Sequence, residues 1–380
     1  MGRCKHIVIN GFSARRGGGQ TYLVNLCKHH TAREDLKITL LLYKDSDLII
    51  KNPSIRVVKI RFPVENPFMR FYWETFRLPQ LLVKESADLL FCPGGIISTK
   101  NPNNCKKVTM FRNMVPLDKK QRKAYPFGYM RFRNWLLKYS LLRSMENADL
   151  VIFISEFGKE VVEGISKKGI MKSIVIPHGV DTFNEGKLPD KRPQFLPKEP
   201  YIVYVSTVDV YKSQLEVVQA YKLLTMKGVA LPKLLLVGPW ETLGYVKKIE
   251  KEIHGNGLSK KIFLTGPVLY EQMSYVYKDA QFVIFASQSE NCPNILLESM
   301  ASGRAIMCSN RPPMPEFAGD AVLYFDPEDP QNIANTMLRL LKDESQIIEL
   351  QTKALERSRI YNWESSAKKT WDVLINETVS

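Results

Sequence analysis

The sequence has no hydrophobic run long enough to cross a bilayer. No stretch approaches the ~20 consecutive apolar residues that a membrane-spanning helix needs. Near the start, Arg3, Lys5 and His6 precede only three consecutive apolar residues. The sequence therefore predicts neither a membrane-spanning helix nor a signal peptide, and we expect a cytoplasmic protein.

Cysteines with metal-ligand or redox spacing are also lacking. None of the six cysteines forms a C-x-x-C pair, and their spacing matches no zinc or disulfide framework. We expect most of them to be reduced and buried, as is usual in cytoplasmic proteins. No catalytic cysteine signature is present, so the chemistry is expected to come from other residue types.

Acidic residues are almost absent from residues 100–143, which we call the basic segment. It holds twelve Lys or Arg residues and a single acid, Asp118. The imbalance is local, because residues 1–182 carry a net charge of +16 and residues 183–380 carry −1. Aromatic residues are distributed through the same segment, among them Tyr125, Phe127, Tyr129, Phe132, Trp135 and Tyr139.

The basic segment is open to three interpretations. A basic, aromatic-rich helix is attracted to an anionic membrane surface or to a lipid-linked substrate. The same charges can follow a nucleic-acid backbone. The third interpretation is purely structural, a solvated helix face with its aromatic side chains packed inward.

The sequence does contain a regular alternation of short apolar runs and amphipathic stretches. The runs are rich in Val, Ile and Leu and are bounded by Gly, Pro, Asn or Asp, which is typical of buried strands. Such alternation predicts parallel sheets with helices on both faces, and 380 residues suffice for two domains. We predict an α/β protein of two doubly wound domains. The first domain spans 1–182, a linker spans 183–200 and the second domain spans 201–362. A final helix over 363–380 can return to the first domain.

Two short segments carry groups suited to an anionic ligand. Three consecutive glycines, 17–19, precede the first helix, where backbone N–H groups and the helix dipole favour a phosphate. In the second domain Lys212 follows the first strand closely, and a charged hydrogen bond from it can bind a phosphate. The structural alternatives are a plain tight turn and a surface lysine.

The most informative constellation is a pair of glutamates eight positions apart. Glu290 lies in a loop before Pro293, and Glu298 lies about one turn into the helix that follows. The unsatisfied N–H groups of the helix start can hold a diphosphate, while the two carboxylates accept hydrogen bonds from hydroxyl groups on either side. In the alternative interpretation Glu298 faces solvent and Glu290 only favours the helix dipole.

Asp45 and Asp47 form a D-x-D sequence, a pattern that elsewhere holds a metal-bound nucleotide. The pair follows a strand of the first domain, away from the other motifs, and matches of three residues often arise by chance. We expect no metal ion and no cofactor.

Together these motifs resemble those of the glycosyltransferase 4 family, retaining enzymes of the GT-B superfamily. The resemblance rests first on the segment from Glu290 to Glu298 and the Met300-Ala301-Ser302-Gly303 that follows it. Shorter matches occur in the order typical of the family: Ile154-Ser155-Glu156-Phe157, residues 176–181, Leu236-Val237-Gly238, residues 264–267, residues 314–317 and residues 323–327. The resemblance covers nearly the whole chain and is densest over 150–340.

The resemblance implies two Rossmann-like domains facing a cleft, with the acceptor bound mainly by the first and the nucleotide sugar by the second. Glu298 would hold the donor ribose, and Glu290 and Lys212 would be the catalytic residues, with Glu290 touching the transferred sugar. The other implied donor contacts are Gly18, Gly19, Ser206, Thr207, Gly266, Pro267, Val268, Asn294 and Ile295. The implied acceptor contacts are Arg112, Asn113 and His178.

We therefore hypothesise a retaining glycosyltransferase that moves a sugar from a UDP- or GDP-linked donor to a growing glycan. The acceptor is taken to be lipid-linked, in the synthesis of a bacterial surface polysaccharide such as capsule, O-antigen or exopolysaccharide. The basic segment would hold the enzyme peripherally at the inner face of the membrane.

Two alternatives belong to other classes of protein. An NAD-dependent oxidoreductase would use the glycine turn, with Asp45 or Asp47 on the ribose, but the glycine spacing is wrong for it and the two glutamates stay unexplained. A basic nucleic-acid-binding protein would explain the basic segment and nothing in the second half. We expect no nucleic-acid partner.

Overall fold

The structure is a computed structural model, and it describes residues 4–15, 17–100, 105–125, 127–181 and 191–378. The chain forms two compact units. The first unit comprises Met1–Leu117, Phe127–Gly179 and Asn362–Ser380, and the second comprises Asp118–Pro126 and Val180–Tyr361. Residues 183–190 of the predicted linker lie outside the described residues, as do residues 101–104 and 126 of the basic segment.

The first unit is built on a parallel sheet whose strands are buried Val-, Ile- and Leu-rich runs. Within its described residues the sheet has seven strands in the order β3-β2-β1-β4-β5-β6-β7, and all neighbouring strands are parallel. The strands are β1 Lys5–Asn10, β2 Leu36–Tyr43, β3 Ile55–Ile60, β4 Leu89–Cys92, β5 Lys106–Phe111, β6 Leu150–Phe153 and β7 Ser173–Val175.

The second unit repeats this design with its own hydrophobic core. In the part of the chain that is described, its sheet has six parallel strands in the order β10-β9-β8-β11-β12-β13. The strands are β8 Tyr201–Val205, β9 Lys233–Val237, β10 Ile262–Gly266, β11 Ala280–Phe285, β12 Ala305–Ser309 and β13 Leu323–Phe325. In both sheets the strand order reverses once, between β1 and β4 and between β8 and β11.

Helices connect most of the consecutive strands, as is usual between parallel neighbours. Across the described ranges they are α1 Gly18–Lys28, α2 Pro67–Phe76, α3 Leu78–Lys84, α4 Lys119–Ala124, α5 Tyr129–Glu146, α6 Glu156–Ile165, α7 Gln214–Met226, α8 Leu243–Gly255, α9 Met273–Lys278, α10 Asn294–Ala301, α11 Met314–Ala318, α12 Pro330–Lys342, α13 Glu344–Ser358 and α14 Trp363–Glu377. Short 3-10 turns span Val210–Lys212 and Tyr270–Gln272. No helix among these is long and apolar enough to cross a membrane.

The predicted fold class is confirmed, with differences at three elements. The strand β13 is not among the strands that the sequence predicts. The amphipathic pattern over 68–84 predicts one helix, but the helix is broken at Arg77, because Pro79 lies in the first turn of α3 and proline cannot continue a helix. The sequence also predicts that Lys212 opens a helix, but Lys212 ends a 3-10 turn before α7, since Ser213 has a left-handed backbone with φ of 52°.

The segment that contains α4 differs from its predicted place. The sequence predicts that all residues up to 182 belong to the first domain, whereas Asp118–Pro126 groups with the second unit. The N-terminus of α4 is capped by the Asp118 carboxylate, which accepts from the N–H groups of Lys120 and Gln121. The basic segment is thus divided between the two units.

Candidate active site

In the second unit, the loops after β8 and β11 come together at the reversal of strand order. In open parallel sheets this position, at the carboxyl ends of the strands, is where ligands bind. Lys212 follows β8, Glu290 follows β11, and the two side chains form an ion pair. The Lys212 side chain is 8% exposed and that of Glu290 is 16% exposed.

The ion pair determines the charge state of Lys212. Burial by itself would lower the pKa of the ammonium group, but the charge and hydrogen bond of Glu290 act together with the nearby Tyr211 and Asp209, and the pKa is raised. Lys212 is therefore held as a cation inside the unit. A buried cation with one carboxylate partner can make further hydrogen bonds to an anionic ligand.

The turn that presents Lys212 is fixed by Asp209. This buried carboxylate accepts hydrogen bonds from the Val210 N–H at 2.7 Å, the Thr242 hydroxyl at 2.7 Å and the Tyr125 hydroxyl at 3.0 Å. The Lys212 N–H donates to the Asp209 carbonyl at 2.9 Å. Three donors on one carboxylate leave the turn little freedom.

The loop before α10 is tied to the same turn by Gln288. Its backbone N–H donates to the Tyr211 carbonyl at 2.7 Å, and its side-chain amide donates to the Ser213 hydroxyl at 2.7 Å. Gln121 of the α4 segment donates to the Gln288 side-chain oxygen at 3.1 Å. The ion pair therefore lies between two loops that hold each other in place.

Among the described residues, three buried polar atoms of this region have no hydrogen-bond partner: Gln214 Oε1, Ser287 Oγ and Ser289 Oγ. The Gln214 amide nitrogen is satisfied, since it donates to the Ser206 hydroxyl at 2.8 Å and to the Thr207 carbonyl at 2.9 Å. Buried polar groups without partners are rare in folded proteins and call for an explanation. Ser287 and Ser289 flank Gln288 in the loop before α10, and Gln214 follows Ser213 at the start of α7, so all three belong to the two loops that hold each other in place.

Glu298 lies in α10 and is partly buried. Burial, together with the neighbouring Asp181 carboxylate, raises the pKa of Glu298 from its usual 4.5 to about 7. The α10 helix begins after Pro293, without a side-chain cap, and the Asn294 N–H donates to the Cys292 carbonyl at 2.9 Å. A carboxyl group with so raised a pKa is typical of a functional site.

The loops after β8, β9 and β10 meet through glycines. The Gly238 N–H donates to the Gly266 carbonyl at 3.0 Å, and a Cβ atom at Gly238 would lie 2.1 Å from the Ser206 carbonyl oxygen. Only glycine fits there. Pro267 and Val268 follow directly, Pro267 exposed and Val268 packed against the core of the unit.

In the first unit, the predicted residues Gly18, Gly19 and Arg112 come together. Gly18 and Gly19 form the start of α1, and a Cβ atom at Gly19 would lie 3.6 Å from Arg112 Nη1. The Arg112 guanidinium lies over the ring of Tyr22, 5.5 Å from its centre. Asn113 follows Arg112 and is exposed, so these residues place cationic and backbone groups at one helix start.

His178 has a different environment from the one expected of an acceptor contact. It is 2% exposed and packs in a cluster with two aromatic rings, with its ring centre 5.3 Å from that of Tyr22 and 5.5 Å from that of Trp363. Its role in acceptor binding remains a prediction.

Asp47 of the D-x-D sequence accepts a hydrogen bond from the Gln20 amide at 3.1 Å. Within the described ranges, no group of three or more His, Cys, Asp or Glu side chains could hold a metal ion.

Sequence reasoning missed several residues of the site. Tyr125 is 84 positions from its partner Asp209, and Gln121 is 167 positions from its partner Gln288. No local sequence pattern reveals contacts over such distances. Asp209 had a readable signal, because an Asp directly before a turn is a common N-terminal cap.

Two units, each with a doubly wound parallel sheet, make up the GT-B fold, and similar solved structures share that fold. Sucrose-phosphate synthase from Thermosynechococcus elongatus is 18% identical, with a TM-score of 0.75 over 97% of this chain and 98% of that one. Anabaena Alr3699/HepE, solved in complex with UDP-glucose, is 15% identical, with a TM-score of 0.72 over 98% and 99%.

Sequence models identify the family. The model for glycosyl transferases group 1 matches residues 189–360, and the model for glycosyltransferase family 4 matches residues 16–183. The chain therefore belongs to the glycosyltransferase 4 family. O-antigen chain mannosyltransferase B of Escherichia coli is 26% identical over 245 residues, which are 62% of this chain and 62% of that relative, so the match spans less than two thirds of its length.

Proposed function

We propose that this chain is a retaining glycosyltransferase that transfers a sugar from a UDP- or GDP-linked donor to a glycan acceptor. The observation that carries the proposal is the buried Lys212–Glu290 pair at the reversal of strand order, beside three buried polar atoms without partners. Family membership supports the transfer chemistry. The relative named as an O-antigen mannosyltransferase supports a surface glycan as acceptor and makes nucleotide-linked mannose the first donor to test.

The proposed mechanism needs no protein nucleophile. Lys212 and the N–H groups at the start of α10 would stabilise the negative charge that develops on the leaving diphosphate, and fixed donors of this kind supply much of an enzyme's rate enhancement. Glu290 would hold the cation in place and contact the sugar, while Glu298 would accept hydrogen bonds from the ribose. We propose that no metal ion is required, which is tested by turnover in the presence of a chelator.

Lys212→Ala is expected to lower kcat by about 10²–10³, the usual cost of losing one group that stabilises the charge of the transition state. Glu298→Ala is expected to weaken donor binding and to abolish most turnover. The matched control is Lys222→Ala, which removes a lysine from a more exposed ion pair with Glu252 on the same unit and should leave turnover unchanged.

The measurement is a screen of UDP- and GDP-linked sugars by hydrolysis and by calorimetric titration, with NMR of the product to read the anomeric configuration. Near wild-type rates for both Lys212→Ala and Glu298→Ala would refute the site. Product with inverted configuration would refute the retaining mode alone.

A further inference from the structure

The first unit exposes aromatic side chains along one face of α2. Four of them are between 46% and 84% exposed: Phe68, Phe71, Tyr72 and Phe76. Their spacing of three and four residues places them on the same side of the helix. The opposite side buries Trp73 and Glu74 against the unit, so the aromatic face is turned away from the core.

The helix α5 of the same unit has a similar face. Four of its aromatic residues are between 46% and 71% exposed: Tyr129, Phe132, Trp135 and Tyr139. Phe132 and Trp135 stack at 6.0 Å, and Trp135 packs edge-on against Tyr139 at 4.8 Å. The buried residues Leu141 and Met145 attach the C-terminal half of the helix to the core.

The two helices are neighbours. Ile97 packs both against the core cluster that contains Trp73 of α2 and against the cluster that contains Leu141 of α5. The Ile97 N–H also donates to the Ser144 hydroxyl of α5 at 3.0 Å. The Thr75 hydroxyl of α2 donates to the carbonyl of the following residue, Ser98, at 3.4 Å. Both helices are therefore anchored to the same segment, residues 97–98, and we call their exposed aromatic residues together the aromatic surface.

Positive charge accompanies the aromatic surface. The α5 helix carries four bases and a single acid, Glu146. The bases are Arg131, Arg133, Lys138 and Arg143. On α2 the one acid, Glu74, is buried and accepts a hydrogen bond from Asn10 at 2.9 Å. No exposed acid of α2 balances the bases.

We propose that the aromatic surface seats the first unit on an anionic phospholipid bilayer. Trp and Tyr side chains favour the boundary between hydrocarbon and head groups because they are amphipathic. Arg and Lys can keep their apolar stems against the aromatic rings while their charged ends reach lipid phosphates. Helices of this composition lie in the interface without crossing it.

A second copy of this chain fits the surface less well than a bilayer does. A symmetric dimer brings the same patch of two molecules together, so the bases of α5 would face their own copies. An anionic bilayer offers the opposite charge. Contiguous apolar patches are rare on monomeric soluble proteins, and here the accompanying charge indicates which partner covers the patch.

The proposal changes which residues are expected to bind the membrane. From the sequence, the whole basic segment is expected to bind the membrane. However, α4 groups with the second unit, where its Lys120 is paired with Glu328. The α2 helix, outside the basic segment, now contributes half of the surface. The inference deepens the proposed function by locating the enzyme, and it does not depend on the donor chemistry.

The test is co-sedimentation of the full chain with vesicles of phosphatidylcholine, with and without phosphatidylglycerol. The double variant Phe71→Ser/Trp135→Ser should bind the mixed vesicles about tenfold more weakly than the wild type, since it removes two apolar anchors. The matched control Met226→Ser/Ile348→Ser removes exposed apolar residues of the second unit, which are 74% and 59% exposed, and should bind as the wild type does. Arg133→Gln/Lys138→Gln should lose the preference for vesicles containing phosphatidylglycerol.

Wild-type protein that ignores both kinds of vesicle would overturn the proposal, as would an aromatic variant that binds like the wild type. A wild-type dimer that the aromatic variant converts to monomer would assign the surface to a second copy instead. Thermal unfolding of each variant shows that it is folded. Donor titration without lipid tests the proposed function separately, so the two can fail independently.

Discussion

At the scale of single residues, the site of the second unit contains two ionisable groups, Lys212 and Glu298, whose surroundings differ. One has an oppositely charged partner, and the other has a neighbour of like charge. Lys212 stays charged because Glu290 is paired with it. Burial of Glu298, together with the nearby Asp181 carboxylate, instead raises its pKa to about 7. Two carboxyl groups eight positions apart in the chain thus differ in their electrostatic surroundings, which suits them to different hydroxyl groups of a ligand.

The raised pKa of Glu298 predicts a pH dependence of stability. The folded state holds the proton up to about pH 7, whereas the unfolded state releases it near 4.5. The contribution to the free energy of unfolding is therefore fully present below about pH 4.5 and is lost as the pH rises through 7. Glu298→Gln keeps the shape without the titration.

Urea unfolding of the wild type and of Glu298→Gln between pH 4.5 and 8 measures this dependence. The difference between the two free energies of unfolding should change with pH, with the wild type losing stability relative to the variant as the pH rises. A difference that is constant across this range would contradict the assignment.

At the scale of elements, the most consequential feature is the segment from Asp118 to Tyr125, which leaves the first unit's sequence region to pack on the second. Tyr125 donates to the Asp209 carboxylate at 3.0 Å, and Gln121 donates to Gln288. The segment therefore supports both loops that carry the Lys212–Glu290 pair. Tyr125 is a positioning residue, because it acts on the site through Asp209.

Tyr125→Phe is expected to lower the stability of the second unit by about 1.5–3 kcal/mol, the usual value of a hydrogen bond to a charged group. If half of that loss appears as a looser turn, donor binding weakens by about four- to twelvefold, since 1.4 kcal/mol is a factor of ten. Calorimetric donor titration and urea unfolding measure both effects.

The control for this prediction is Tyr129→Phe, which removes a hydroxyl from a side chain that is 71% exposed and should change neither quantity. Donor affinity and stability that stay at wild-type values in Tyr125→Phe would show that the Asp209 turn does not depend on this bond.

At the scale of the whole molecule, the last helix belongs to the unit that contains the start of the chain. In that unit α14 packs beside α1, and the Trp371 indole donates to the Leu26 carbonyl at 2.9 Å. The His30 ring lies 4.6 Å from the Trp371 ring. A Cβ atom at Gly179 would lie 2.1 Å from the Trp363 nitrogen, so the entry of the helix also requires a glycine.

Trp371→Ala should destabilise the first unit by about 3–5 kcal/mol, because it empties a buried aromatic site. The exposed neighbour Lys369→Ala should change stability by less than about 0.5 kcal/mol. Differential scanning calorimetry measures the stability of both variants. Runs with UDP or GDP should still show the second unit stabilised by bound nucleotide in Trp371→Ala, because the substitution lies in the first unit. Equal effects of the two substitutions would contradict the packing.

The sequence by itself was enough for the fold class, for nearly all strands and for the order of the motifs. Strands buried on both faces must be apolar throughout, and the turns between strand and helix need particular residues, so both leave a local trace. The same holds for the Glu290–Glu298 element, whose spacing around a helix start is readable without coordinates.

Only the tertiary structure showed the pairing of Lys212 with Glu290, the support of their loops by Tyr125, and the anchoring of α2 and α5 to the same segment. The paired residues are 78 positions apart, and Tyr125 is 84 positions from its partner. Contacts across such distances depend on how whole elements pack. That packing is decided by the summed burial of many side chains, and no short pattern in the sequence records it.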